Sequence, residues 1–185
     1  MNRSLYTTVT GASSGFGRAV TEYQLRIGNK VIATLRKPEA LSDLAARYSP
    51  TQLLVVKLDV TNQADVSAAF AKAEEMFGRI DVVFNNAGIT VTGEVESLDE
   101  ANARNMLEVN FWGAARVTKE AVRFFREVNK PVGGRLLQVS SRLGLVGSAA
   151  CGFYSASYVS SYTKPNLTLT YGNRKFGKQL AVDRR

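Results

Sequence analysis

Two hydrophobic periods alternate along this chain. Short runs rich in aliphatic and β-branched residues read as five strands: Leu5–Thr10, Lys30–Leu35, Leu53–Leu58, Ile80–Phe84 and Arg135–Ser140. Between them lie stretches with helical spacing: Gly15–Ile27, Pro38–Tyr48, a segment ending at Phe77, and a long one from Leu98 to Val128. The punctuation agrees. Gly28-Asn29 stops the first helix, Pro38 stands near the start of the second, and Gly78 ends the third, which Thr61 or Asn62 can cap. Ser97 is the candidate N-cap of the long helix, with Glu100 three residues on at the capping-box spacing. Strands that alternate with helices require right-handed crossovers, hence a parallel sheet covered on both faces. The nearly continuous run Leu53-Leu54-Val55-Val56 suits a strand buried on both sides. The expected fold is α/β, a Rossmann-type doubly wound parallel sheet in three α/β/α layers.

Composition narrows the class. A chain of 185 residues with 45% hydrophobic and 22% charged residues is one ordinary globular domain. A single cysteine, Cys151, can form no internal disulfide, so a cytoplasmic location is the expectation. No run approaches the roughly 18 apolar residues of a membrane span. A strand pattern that begins by about Ser4 leaves no room for a signal peptide. The net charge of +8 raises nucleic acid as a partner, but its distribution argues against it. Lys164, Arg174, Lys175, Lys178, Arg184 and Arg185 face only Asp183 within residues 158–185, so basicity belongs to the tail and not to a shaped groove. Neither a nucleic-acid nor a membrane partner is expected, and no metal site.

The candidate chemistry begins between the first strand and the first helix, at Thr10-Gly11-Ala12-Ser13-Ser14-Gly15-Phe16-Gly17. Glycines there allow a tight turn, close approach to a pyrophosphate and packing of helix on sheet, while the helix N-terminus favours the anion. A glycine-rich triplet alone is a weak signal. A strand before it and a helix after it supply the context a dinucleotide site needs. Gly11, Ser13, Ser14, Gly15, Phe16 and Gly17 are therefore candidate cofactor-binding residues.

The spacing T-G-x-x-x-G-x-G resembles that of the short-chain dehydrogenase/reductase family, and further motifs follow in the family's order. These are Asp59-Val60 after the third strand, Asn85-Asn86-Ala87-Gly88 after the fourth, and Asn110 within Val109-Asn110-Phe111-Trp112-Gly113. Ser140-Ser141 then closes the fifth strand and Tyr154-Ser155-Ala156-Ser157 follows, with Ser141 and Tyr154 separated by 13 residues. The resemblance implies that Asp59 and Val60 contact the adenine and that Asn86, Ala87 and Gly88 line the cofactor. It further implies that Tyr154 is the acid/base for an alcohol or carbonyl, that Ser141 hydrogen-bonds its oxygen, and that Asn110 orders a water relay. In such folds an acid ending strand two binds the ribose 2′-hydroxyl and an arginine accommodates a 2′-phosphate. Here Leu35 is followed by Arg36 and Lys37, with no acid before Glu39, so NADP(H) is favoured over NAD(H).

The pattern then departs from the family. A free phenol, with a pKa of about 10, is almost wholly protonated at neutral pH. The family places a lysine four residues after the tyrosine, whose ammonium lowers that pKa and holds the nicotinamide ribose. That position is Tyr158 in this chain, and Lys164, followed by Pro165, is no substitute. Beyond Ser157 the family's order stops. Residues 1–157 read as the NAD(P)-binding domain and 158–185 as a divergent basic tail, consistent with a truncated or aberrantly translated product that lacks the family's last strands. Such a sheet would end on an uncovered fifth strand, and a family-type homo-oligomer is not expected. The function implied is an NADP(H)-dependent oxidoreductase that interconverts an alcohol and a carbonyl. Apolar residues Leu143, Leu145, Val146 and Phe153 flank the site; they suit a small or lipid-like substrate, or are simply core. The alternative is a catalytically impaired nucleotide-binding protein.

Overall fold

The computed structural model describes residues 4–159 and 168–171. Five strands form the parallel part of one sheet: β1 (Tyr6–Thr10), β2 (Lys30–Leu35), β3 (Leu53–Lys57), β4 (Val82–Asn85) and β5 (Gly134–Gln138). A sixth strand, β6 (Thr168–Tyr171), completes the spatial order β3-β2-β1-β4-β5-β6. The chain runs outward from β1 to β3, then returns to the other side of β1 to add β4 and β5. The order therefore reverses between β1 and β4, and a crevice opens there at the carboxyl ends of the strands.

Alternation along each strand divides the core between the two faces. Val31, Ala33 and Leu35 of β2 join Val9, Leu25, Leu41 and Leu44 on the side of α1 (Gly15–Arg26) and α2 (Ser42–Ala45). Ile32, between them in sequence, points the other way. It packs with Val66 and Phe70 of α3 (Gln63–Phe77) and with Val117 and Phe124 on the opposite face. The Phe70 and Phe124 rings meet tilted, with centroids 5.9 Å apart, within the range where aromatic pairs attract beyond simple burial.

The helix ends show which signals operate. Asn62 caps α3, its Oδ1 accepting from Ala64 N at 2.9 Å and Asp65 N at 3.3 Å, and Gly78 ends it in the left-handed region at φ 64°. The long helical stretch starts later than its sequence spacing predicts. Its cap is Asp99, whose Oδ2 accepts from Asn102 N at 3.1 Å, whereas the Ser97 hydroxyl donates to Glu94 O in the preceding turn. A carboxylate at the positive end of a helix outcompetes a neutral hydroxyl two residues earlier. The stretch is also not uniformly α-helical. α4 (Glu100–Leu107) and α5 (Ala114–Arg123) are separated by a π segment, Glu108–Gly113, and a second π segment, Phe124–Val128, closes it.

Two further differences concern strand ends. β4 starts at Val82 rather than Ile80 because Asn129, fully buried, takes both backbone groups of Ile80. Its Oδ1 accepts from Ile80 N at 3.1 Å and its Nδ2 donates to Ile80 O at 2.6 Å and to Gly133 O at 2.5 Å. The outer edge of β5, expected to be open, is instead paired. β6 runs antiparallel to it, with Leu136 opposite Leu169 and Leu137 opposite Thr168. The chain reaches this edge after a 3₁₀ turn (Arg142–Gly144) and a helix (Gly152–Val159), and the antiparallel pairing covers it. Among the described residues no helix is long and apolar enough to cross a membrane.

Asn129→Ala removes all three bonds at once and leaves buried groups of Ile80 and Gly133 unsatisfied. The expected cost is about 2–4 kcal/mol, seen as a fall in melting temperature of roughly 4–16 °C for a chain of this size and measured by thermal circular dichroism.

Candidate functional site

The crevice at the β1/β4 reversal is built by one clamp. The Thr10 hydroxyl, at the end of β1, accepts from Asn86 N at 2.9 Å and Ala87 N at 3.0 Å, and donates to Asn85 Oδ1 at 3.3 Å. Asn86 reciprocates, its Nδ2 donating to Thr10 O at 3.0 Å and Gly11 O at 3.4 Å. On the other side Ala12 N donates to Thr34 O at 3.0 Å, tying the glycine turn to β2. The turn is thus held between three strand ends.

Its glycines are required by geometry. Gly11 has φ 66°, and a Cβ there would lie 3.0 Å from Ala87 Cα. A Cβ on Gly17 would come within 2.2 Å of Gly11 O and 2.8 Å of Asn86 Nδ2, a collision with backbone that nothing flexible can relieve. Gly15, at φ 53°, differs: no atom lies within 4 Å of its would-be Cβ, so it faces open space. Here α1 begins. Its N-cap residue Ser14 makes no side-chain capping bond, and its first turn holds no acid. The helix N-terminus with its unpaired N–H groups and positive dipole end therefore opens beside an open glycine. Ser13, Ser14 and Phe16 are exposed around it.

Along the crevice toward β2 and β3, Arg36 is exposed just past the end of β2 and faces Asp59 across the two strand ends. Burial works against the Asp59 carboxylate. Hydrogen bonds from Thr61 N at 2.9 Å and Thr61 Oγ1 at 2.7 Å, with the charges of Arg36 and Lys57, outweigh that and hold the carboxyl below the ordinary aspartate range. The Val60 side chain belongs to the core, where it lies against Gly113 so closely that a Cβ on Gly113 would sit 2.6 Å from Val60 Cγ2.

In the opposite direction, the π segment carries Asn110, which is buried. Inserting one residue into a helical turn re-aims the side chains there, a recurrent device beside functional sites. Asn110 Oδ1 accepts from Ile89 N at 2.8 Å and its Nδ2 donates to Ile89 O at 2.9 Å, pinning the segment after Gly88. The same Nδ2 reaches Ser157 Oγ at 3.1 Å, and Ser157 Oγ donates to Tyr154 O at 2.7 Å, linking the π segment to α6 (Gly152–Val159). Ser141 ends the loop after β5, where its Oγ accepts from Leu143 N at 3.2 Å and starts the 3₁₀ turn Arg142–Gly144 against which α6 packs.

Tyr154 and Tyr158, one helical turn apart, stack edge to face with centroids 5.1 Å apart and an interplanar angle of 72°. Burial, with a hydrogen bond and a charge interaction from Tyr154, pushes the Tyr158 phenol well above its usual pKa, so it stays neutral at any ordinary pH. The Tyr158 hydroxyl reaches Gly88: a Cβ there would lie 2.9 Å from it and 3.2 Å from Asn110 Oδ1.

The crevice therefore gathers the glycine turn with Asn86 and Ala87, Arg36 with Asp59, and Asn110 with Gly88 and Tyr154. Residues that sequence reasoning left out of the site are those that hold it together: Thr10, Asn85 and Ser157. Thr10 and Asn85 stand inside the motifs themselves, and Ser157 sits at i+3 from Tyr154, so a signal existed for each. Gly113, the contact glycine for Val60, likewise closes the Val109–Gly113 motif.

The family model for short chain dehydrogenases matches residues 6–160. An uncharacterized oxidoreductase of Schizosaccharomyces pombe is 41% identical over 157 residues, which cover 84% of this chain and 51% of the relative. A 3-ketodihydrosphingosine reductase of Bacteroides thetaiotaomicron is 34% identical over 149 residues, 80% of this chain and 51% of its own length. Among solved structures, a short-chain dehydrogenase from Streptomyces avermitilis superposes with a TM-score of 0.79 at 36% identity, covering 86% of this chain and 57% of that one. The chain belongs to the short chain dehydrogenase family. It spans about half the length of the curated relatives it matches.

The clamp can be tested directly. Thr10→Val keeps the shape but leaves the N–H groups of Asn86 and Ala87 without their acceptor. It should cost about 1–3 kcal/mol per unsatisfied group, while Thr10→Ser should retain most of the stability. Urea denaturation of the two variants separates the outcomes.

Proposed function

We propose that the crevice is the cofactor and substrate site of an NADP(H)-dependent oxidoreductase that interconverts an alcohol and a carbonyl. The observation that carries this reading is the α1 N-terminus: no side-chain cap at Ser14, no acid in the first turn, and open space at Gly15 behind a clamped glycine turn. An anion held by backbone N–H groups fits such a terminus, and the pyrophosphate of a dinucleotide is the anion this family binds. Gly11, Ser13, Ser14, Gly15, Phe16 and Gly17 would surround it, with Asp59 and Val60 toward the adenine and Asn86, Ala87 and Gly88 toward the nicotinamide. When bound, the cofactor supplies or accepts the hydride.

Arg36 supports NADP(H) over NAD(H). It is an exposed guanidinium at the end of β2, where an acid would repel a 2′-phosphate, and a planar fork suits a phosphate dianion. Around the reacting carbon, Tyr154 would give its proton to the carbonyl oxygen and Ser141 would hydrogen-bond that oxygen. Asn110, fixed by Ile89 and Ser157, would position water behind Tyr154. The exposed side chains of Val95, Leu145 and Val146 make the surface beside α6 apolar, which supports a small or lipid-like substrate. The name of the B. thetaiotaomicron relative, a 3-ketodihydrosphingosine reductase, points the same way.

A second reading rests on Tyr158. The neutral phenol in place of a cation leaves Tyr154 without the charge that would stabilise its phenolate, which favours a catalytically impaired nucleotide-binding protein.

Two measurements test these readings. Arg36→Ala should weaken NADPH binding about tenfold, the loss of one charge-assisted phosphate contact, and leave NADH binding unchanged; equal effects on both would remove the case for NADP(H). Steady-state turnover with NADPH across a carbonyl panel should be very slow or absent, and Tyr158→Lys should raise it. Rates ordinary for the family in the unsubstituted chain would eliminate the impaired reading.

A further inference from the structure

The two ends of the crevice differ in one respect. At the pyrophosphate end, the space that a side chain at Gly15 would occupy is empty to 4 Å. At the other end the corresponding space at Gly88 is taken: the Tyr158 hydroxyl lies 2.9 Å, and the Oδ1 of buried Asn110 3.2 Å, from the position of a Gly88 Cβ. The Tyr158 side chain spans from there to the 3₁₀ turn, where its own Cβ lies 3.0 Å from a Cβ built on Gly144. Its ring face or edge is closed off by Tyr154, 5.1 Å away between centroids. One side chain thus bridges the loop after β4, the turn after β5 and α6. Its ring is rigid and mostly buried, so moving it aside would break the contact with Tyr154 and re-expose apolar surface. A lysine at the same position would have a flexible four-carbon stem able to swing out of the way.

We propose that Tyr158 plugs the nicotinamide-ribose end of the crevice, so that this site reads the adenosine diphosphate half of a dinucleotide and gives the nicotinamide riboside no favourable place. The ligand class is an adenosine 5′-diphosphate bearing a 2′-phosphate, held by the glycine turn and Arg36, with whatever is attached beyond the second phosphate left in solvent. This inference rests on the reading of the glycine turn as a pyrophosphate site and on the second, catalytically impaired reading of the crevice, and it sets aside the turnover proposed in the first. It also goes beyond a missing catalytic cation, because it concerns binding and needs no turnover to be observed.

Calorimetric titration of the full chain with NADPH and with adenosine 2′-phosphate 5′-diphosphate, which keeps both phosphates and lacks the nicotinamide riboside, tests it. The two dissociation constants should agree within about threefold. Tyr158→Ala should tighten NADPH by about tenfold or more while leaving the shorter nucleotide unchanged, and Tyr158→Phe, which keeps the ring but removes the hydroxyl at Gly88, should tighten it by less than Tyr158→Ala does. NADPH binding the unsubstituted chain at least about tenfold more tightly than the shorter nucleotide would overturn the plug and leave the pyrophosphate reading standing. Failure of both nucleotides to bind would overturn the pyrophosphate reading and the plug with it. The ratio in the unsubstituted chain decides even where a Tyr158 variant does not fold.

Discussion

The Thr10–Asn86 clamp is the contact on which the site depends. Parallel strands on either side of a reversal diverge at their carboxyl ends, because the connections leave toward opposite faces of the sheet. Without a tie, the β1 and β4 loops would separate and the glycine turn would have no fixed shape. The Thr10 hydroxyl joins two backbone N–H groups of the second loop, and Asn86 Nδ2 joins two carbonyls of the first, so donors and acceptors are satisfied in both directions. The glycines follow from this closeness. Gly11 and Gly17 are glycine because the clamp draws Ala87, Asn86 and the turn's own carbonyl into the space a Cβ would fill.

The other half of the crevice is organised by Asn110. A π segment inside an otherwise α-helical stretch is held at a cost, since its wider turns pack less well. Here it turns Asn110 inward, where it bonds both backbone groups of Ile89 and, through Ser157, reaches the carbonyl of Tyr154. The loop after β4, the long helical stretch and α6 are thereby one connected unit. The placement of Tyr158 is a consequence. With α6 fixed through Ser157 and Tyr154, a residue one turn further on has only the space between Gly88 and Gly144 to enter. A bulky, rigid and neutral residue there changes what the crevice can hold without disturbing the clamp at its other end. The two ends of the crevice thus depend on separate sets of contacts.

Much of the fold was legible in the sequence because it rests on local chemistry. Glycine punctuation, the Asn62 cap and two-residue alternation in strands such as Val31-Ile32-Ala33 act over a few residues. The tightness of the glycine turn could be read from its spacing, and the exposure of Arg36 from its place after β2. Signals that compete over distance were misjudged. Ser97 lost its capping role to Asp99, and Ile80 left its strand because Asn129, far along the chain, satisfies its backbone instead.

The sequence by itself therefore determined the order of elements, the doubly wound sheet and the motifs that line its crevice, since each follows from hydrophobic period and turn chemistry within a short window. It also determined that a tyrosine stands where a lysine would be. Only the tertiary structure decided what that tyrosine does, because its hydroxyl meets Gly88 and its Cβ approaches Gly144, residues separated from it by 70 and 14 positions and brought together only by the packing of α6. The covering of β5 by an antiparallel strand was decided at the same level. Strand pairing between distant segments is chosen by which edge is open and within reach of the chain, and no local pattern encodes that.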